Sequence, residues 1–514
     1  MRRTTARNPT HARRAEGEPC GHGASARGGH IRSRSVRELH TLQRMQTRER
    51  SVKRKPYLLL GLTGALAVTG VVGGALASRG TQDNVMKQFD LGTKALTESG
   101  LATVKTLPYE KTLFGGTQRT IITFRLPDVS LTKAGTTKPF TVTLVSRVRN
   151  GPFPGLRSFG AASIDTDVVF EPTIQKEVDG ALGGKKILLH TDVAFGGNTT
   201  TTLNVPAGSY AATDGNGGVN WAALTYITKM TPEQARSTLT WAGLTMKDPS
   251  GSRDVMKVEN VRATSMQRLD DDGLSDSDAR LTVGGVTLHG KSAGRVDGLT
   301  VTSSNRTAQG TVDFTASYSA KKVTLGAKTV LKPTVALSLR NLDRVALRVI
   351  MQYLRDIDAD GGADASNAST SAGTTSRRVS QAALDQAVQQ LVSGNPQVGI
   401  DSASVSTGAG DVVIRAKAGL SGVNTAELPA MLRQRPELLM QHVRVSAHGE
   451  ASEAALAELA RTLGDNDPRA ASGVEEAVSS FEKMGYVKRV GTVLSTDVTY
   501  SAQGLLVNGQ PFEY

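Results

Sequence analysis

Polar and apolar positions alternate along much of this chain. In residues 140–150, FTVTLVSRVRN, Phe140, Val142, Leu144 and Val148 fall on one side. Thr141, Thr143, Arg147 and Arg149 fall on the other, with Val145 the exception. A period of two marks a strand with one dry and one wet face, because successive side chains of extended backbone point to opposite sides. The pattern returns in TVDFTASYS, where Val312, Phe314, Ala316 and Tyr318 oppose Asp313, Thr315, Ser317 and Ser319. It returns in TVALSLR (Val335, Leu337, Leu339) and in HVRVSAH (Val443, Val445). Half-wet strands of this kind belong to antiparallel sheets.

The helical period is rarer. It predicts helices over residues 341–354, 380–392, 453–463 and 474–484, and an early one over 83–98. Residues 232–242 also read as a helix, with Pro232 at a suitable first position. Groups of strands followed by single helices predict a β-dominated α+β fold, with curved antiparallel sheets and a few covering helices. We detect no repeat of fixed period, which argues against a propeller or a regular solenoid. Residues 356–378, rich in Asp, Gly, Ala, Ser and Thr, read as a flexible linker between a β-rich part at 80–355 and an α+β part at 379–514.

One apolar run differs from all the others. Residues 57–77, YLLLGLTGALAVTGVVGGALA, carry no charge. At about 1.5 Å per residue the run spans about 31 Å, enough to cross a bilayer. Lys53-Arg54-Lys55 precedes it, so the positive-inside rule puts the N-terminus in the cytoplasm and the body across the membrane. The rival is a signal peptide cleaved after Ala77, but the run exceeds the usual apolar length of such peptides. Residues 1–55 read as a disordered basic tail, or as the product of a start codon upstream of Met45.

Charge changes the picture only after it is mapped. The whole chain has a net charge of +14, but residues 1–55 hold 15 Lys/Arg against 4 Asp/Glu, a net of +11, which leaves +3 for the rest. A basic stripe on the body, the footprint of nucleic-acid binding, is therefore not expected. Aromatics are 4% of the chain and glycines number 54, which suits thin sheet layers better than one thick core. The single cysteine, Cys20, lies in the tail, so the body has no disulfide, thiolate metal site or cysteine nucleophile.

Candidate chemistry is sparse. Asp356, Asp358 and Asp360 before Gly361, with Asp364 at the ninth position, match the first half of a calcium loop. The twelfth position, which needs a bidentate Glu, is Asn367, and a solvated acidic loop is the plainer reading. Asp270, Asp271 and Asp272 lack the spacing and read as a hairpin loop. His448-Gly449-Glu450 has the H-x-E spacing of zinc deaminases without their cysteine ligands. Residues 285–294, GVTLHGKSAG, fit both a phosphate loop and a nucleophile elbow by letter. Both need a strand, a turn and then a helix, and here glycines interrupt the helix. No catalytic residue and no cofactor is assigned.

Other residues carry a family resemblance. Asn150-Gly151-Pro152-Phe153-Pro154 after a strand resembles the H-G-P-F-P signature of the YdgA-like family, bacterial envelope proteins of unknown function. Tyr109 with Phe114 is similar to that family's Y-x-x-G-x-F element, Trp221 fits its mid-chain region, and YSAQGLLVNGQ at 500–510 its closing strand pair. The resemblance spans about residues 55–514. Asn150 departs from the usual His and Thr112 from the usual Gly. The family implies an inner-membrane anchor and a periplasmic body, and supplies no catalytic residues. Physically, Gly-Pro-Phe-Pro reads as a rigid turn with Phe153 as a plug.

The expectation is thus an inner-membrane protein, anchored by residues 57–77, with a non-enzymatic structural or assembly role in the envelope. A lipid-handling protein with an apolar β-groove is the alternative, and an enzyme without a recognisable motif the second. The partners these readings admit are the membrane, a second copy, another envelope protein and lipid, and no nucleic acid. They separate on structure: lipid handling needs a long exposed apolar trough, a scaffold a closed core with a flat partner surface, and an enzyme a pocket of perturbed ionisable groups.

Overall fold

The computed structural model describes residues 102–124, 140–154, 159–211, 217–248, 250–268, 274–290, 293–326, 328–361, 379–424, 427–428, 431, 436–463 and 468–512. The chain parts into Met1–Val52 and Lys53–Tyr514, and every described residue belongs to the second unit. The expected anchor at 57–77, the helix at 83–98 and the basic tail lie outside the described residues. Among the described residues no helix is long and apolar enough to cross a membrane.

The strands in chain order are β1 (Ala102–Thr106), β2 (Glu110–Thr112), β3 (Gly115–Phe124), β4 (Phe140–Asn150), β5 (Ala162–Phe170), β6 (Leu188–Val193), β7 (Thr199–Val205), β8 (Gly208–Ala211) and β9 (Gly218–Trp221). Long strands follow: β10 (Leu224–Met230), β11 (Gln234–Lys247), β12 (Asp254–Arg268), β13 (Ser277–Leu288), β14 (Gly294–Ala308) and β15 (Thr311–Ser319). Then come β16 (Lys322–Leu325), β17 (Lys328–Asp343), β18 (Gln397–Thr407), β19 (Gly410–Leu420) and β20 (Val443–Ser452). The last are β21 (Lys488–Val490), β22 (Val493–Ser501), β23 (Gly504–Val507) and β24 (Gln510–Pro511). Every pairing is antiparallel and almost every partner is a near neighbour in sequence, so the strands form one meandering sheet. The short β9 and β16 fill in along the longer β11, β14 and β17.

The sheet does not divide at residues 356–378. Strand β17, before that segment, pairs with β18, after it, from Leu331↔Ser406 to Arg340↔Gln397. The two parts read from the sequence therefore share one set of ladder hydrogen bonds.

The strands expected from alternation are β4, β15, β17 and β20. The helices are α1 (Pro172–Ala181), α2 (Arg344–Gly361), α3 (Gln381–Ser393), α4 (Glu453–Leu463) and α5 (Pro468–Lys483). Ser380 caps α3 by accepting from the Ala383 amide. Residues 232–242 are not a helix: from Gln234 they form β11, whose odd positions are half-buried and whose even positions 236–242 are exposed. Thr, Trp and Leu in strict alternation outweigh one favourable proline there. Helix α1 was not expected, because Asp179 and Gly180 break its short apolar stripe, yet Val178, Ala181 and Leu182 are buried against the sheet.

The core lies under β3 to β7 and α1. Ile122, Leu144, Ile164, Leu203, Val205 and Trp221 pack there, with Ile122 and Leu203 wholly buried. Replacing Leu203 by Ala should cost about 2–5 kcal/mol, from lost transfer free energy and the cavity left behind. Urea unfolding of the full chain measures it, and a loss below about 1 kcal/mol would mean the site collapses around the smaller side chain.

At the C-terminal end, α4 and α5 are tied to the sheet by polar contacts. Glu458 accepts from the amides of Gly408 and Ala409 in the β18–β19 turn, at 3.0 and 2.9 Å. Arg489 on β21 donates to Glu453 of α4 at 2.7 Å and to Glu482 of α5 at 2.7 and 3.1 Å. That guanidinium holds the Glu482 carboxyl below its ordinary pKa. A depressed carboxyl contributes stability that is complete above its unfolded pKa and lost as pH falls through the folded one. Arg489→Met should therefore lower the melting temperature at neutral pH, and the gap to the parent chain should close below about pH 4. Melting curves from pH 7 to pH 3 check this, and a gap independent of pH would assign the effect to lost packing.

Candidate functional site

Along β11 to β15 the register divides the side chains between two unlike faces. Arg236, Thr238, Arg262, Thr264, Arg280, Thr302, Ser304 and Thr315 lie on one of them. Cross-strand ion pairs mark the same wet face further along: Arg306 with Asp278 at 2.6 Å, Arg340 with Asp401 at 2.8 Å and His448 with Asp497 at 2.8 Å. The Asp278 carboxylate raises the pKa of the Arg306 guanidinium. Half-exposed pairs of this kind contribute about 0–1 kcal/mol each and serve mainly to keep the face in water.

The opposite face is apolar. The register sets Ser237, Ser265, Ala279, Ser303 and Ala316 in one row across β11 to β15. Two residues along each strand, a parallel row holds Leu239, Ala263, Leu281, Val301 and Tyr318. Small side chains beside larger ones leave a furrow that crosses the strands. A concavity lined by Tyr226, Leu239, Leu281 and Val301, with Ser237 and Ala279 at its floor, sits on this face. Tyr226 and Thr228 both hydrogen-bond to Ser237, at 3.1 and 3.0 Å, which closes the β10 end with satisfied hydroxyls.

Past β15 the row of small residues gives way to Leu337 and Ile400, on β17 and β18. Leu339 and Val398 flank them on one side and Val335 on the other. These side chains are uncovered: Leu337 is 40% exposed, Leu339 44%, Val398 53% and Ile414 48%. Sheet hydrogen bonds already satisfy the backbone here, so this face lacks only an apolar neighbour.

A line of irregular residues keeps the apolar face continuous. Ala242, Asn260, Gly284 and Gly298 are each left out of pairing on four adjacent strands, while the register resumes unchanged on either side. Asn260 and Gly298 have φ of 53° and 61°, and Gly243, beside Ala242, has 128°. Across this line the two faces exchange parity. Leu244 packs on the same core as Leu239 and Trp241, although strict alternation would send it to the other side. Lys257, Glu259, Arg295 and Asp297 meet in ion pairs on the wet side. The local kink re-aims side chains without ending a strand and, unlike a β-bulge, adds no residue to either partner.

The candidate sites read from the sequence fall elsewhere. Asp356, Asp358 and Asp360 lie in α2, which runs on to Gly361, six residues into the segment read as linker, and Asp364 lies outside the described residues. Helical backbone runs through these positions, where calcium spacing requires a loop. Among the described residues no group of three metal-capable side chains gathers. Gly285 to Leu288 of the GVTLHGKS segment end β13, which pairs directly with β14, so the next described element is a strand rather than a helix. His190 and His448 each face a carboxylate across the sheet, Asp165 and Asp497, at 2.8 Å.

Two segments of the sequence resemblance meet at one end of the sheet. Tyr109 packs against the core beside Gly116, and Phe114 accepts from the Asn150 amide through its carbonyl at 2.8 Å. The C-terminal part forms β22 to β24, closed by Asn508-Gly509, both with positive φ as a tight hairpin turn needs. The sequence profile of DUF945, a bacterial protein of unknown function, matches residues 54–514. The chain belongs to this family. The DUF945 match starts before residue 57, so the uncharged apolar run falls inside the family unit. No curated protein and no solved structure matches this DUF945 chain.

Proposed function

We propose that this DUF945 protein binds the acyl chains of lipids along the apolar face of its sheet, held at the inner membrane by residues 57–77 with its body in the periplasm. The observation that carries the reading is the uncovered row of Leu337, Leu339, Val398, Ile400 and Ile414, continuous with the small-residue furrow from Ser237 to Ala316. The dimensions suit the ligand. Four strand spacings of about 4.8 Å from β11 to β15 give about 19 Å, longer than the ~15 Å half-thickness of a bilayer's hydrocarbon core. The chemistry suits it as well, since one row carries only Ser and Ala and the other is aliphatic apart from Tyr318 at its β15 end. A scaffold is favoured less, because its closed core and flat partner surface are not what this open face offers. No residue is assigned a catalytic role.

A photoactivatable amino acid placed in the full chain at Leu337, and separately at Thr302 on the wet face, separates bound lipid from the lipid that surrounds any anchor. Irradiation in membranes should give lipid adducts at Leu337 and none at Thr302. Equal yields at both positions, or none at Leu337, would remove the basis for the reading.

A further inference from the structure

Three turns at one end of β3 to β7 carry large apolar side chains into solvent. Leu113 and Phe114 lie between β2 and β3, Phe153 and Phe159 between β4 and β5, and Phe195 between β6 and β7. Their exposures are 88%, 75%, 61%, 71% and 60%. Phe153 is therefore not the plug expected from the sequence. It packs at a tilt of 54° against Phe159 at a centroid distance of 5.4 Å, and Phe159 meets Phe195 edge-on at 5.2 Å. The cluster stands on backbone hydrogen bonds that join the turns to one another. The Asn150 amide donates to Phe114, the Gly160 amide to Pro152 at 3.2 Å and the Ala161 amide to Val193 at 2.8 Å. Gly151, at φ 113°, makes the bend that sends Pro152 and Phe153 outward.

We infer that this aromatic end penetrates the interface of a lipid bilayer. Three separate turn tips, each bearing phenyl or leucyl groups, suit a fluid apolar medium better than a flat protein surface. Lys111 is exposed beside Leu113 and has no ion pair among the described residues, so a cation stands where lipid phosphates would lie. The reach is sufficient. Residues 78–101 separate the apolar run from Ala102, and 24 residues extend up to about 80 Å at ~3.3 Å each. The tip is about 30 Å from Ala102, the length of the ten-residue β3 at ~3.3 Å per residue. The inference rests on the membrane attachment proposed above and is independent of what fills the furrow.

The test uses the full chain, with Cys20→Ser, reconstituted in phospholipid vesicles that carry a nitroxide high on the acyl chain. An environment-sensitive fluorophore is attached at Phe195→Cys, or at Gln503→Cys in the exposed β22–β23 turn. The label at 195 should be quenched several-fold more strongly than the label at 503, with a blue-shifted emission. Equal quenching of the two, in chains that float with the vesicles, overturns the docking end and leaves the attachment standing. A blue shift without quenching assigns the tip to a protein contact and also overturns it. Chains that fail to float with the vesicles overturn both readings together.

Discussion

Leu337→Asp should weaken acyl-chain binding about a hundred-fold while leaving the fold intact. Setting a carboxylate against hydrocarbon costs about 3 kcal/mol, and every ~1.4 kcal/mol is a factor of ten in affinity. Leu337 is 40% exposed, so the same change should alter stability by less than about 1 kcal/mol. Thr302→Asp places an identical charge on the wet face and should change neither. The readout is the lipid adduct formed by a photoactivatable group at Val398, diagonal to Leu337 across the β17–β18 ladder. An undiminished adduct in Leu337→Asp would show that lipid lies elsewhere. A collapsed melting temperature would show that Leu337 serves the fold instead.

The second large effect concerns the line where the faces exchange. A Cβ on Gly243 would stand 1.9 Å from the Val258 carbonyl oxygen and 2.8 Å from its carbon, at a φ of 128°. Neither atom can move without breaking the β11–β12 ladder. Gly243→Val should cost at least about 3 kcal/mol, combining strained backbone with a clash that has no soft side chain to absorb it. Gly251→Ala is the control. Its φ is 70° and its Cβ meets nothing within 4 Å, so only the left-handed backbone penalty of about 1–2 kcal/mol remains. Urea unfolding of both variants decides the matter, and equal losses would mean that the close approach at Gly243 relaxes freely.

Much of the fold could be read locally because it is local. Strands β4, β15, β17 and β20 announce themselves by alternation, and α3 and α4 by an apolar stripe with a capping or acidic start. The errors have local causes too. Pro232 made a strand look like a helix start, and α1 hid its apolar side behind Asp179 and Gly180. The candidate site was not legible in the same way. Ser237, Ser265, Ala279, Ser303 and Ala316 are unremarkable in sequence, and only the register of five strands puts them in one row. Half-wet strands with few helices leave apolar surface over, but register alone decides where it gathers. The aromatic end was hidden for a similar reason. Phe114, Phe153 and Phe195 lie some forty residues apart, and antiparallel order alone brings their turns to one edge.

The near-neighbour order of the strands has a mechanical corollary. Tension applied at the two ends of the meander loads its ladders in series from the outside, at β1 and β24, and not all at once in shear. Each strand then peels from the next by opening a few hydrogen bonds at a time. Extension should proceed as a train of small, low-force steps and recover readily on release, because each step re-forms contacts of short sequence separation. A sheet stitched in this way yields gradually where a closed sandwich would hold and then fail abruptly.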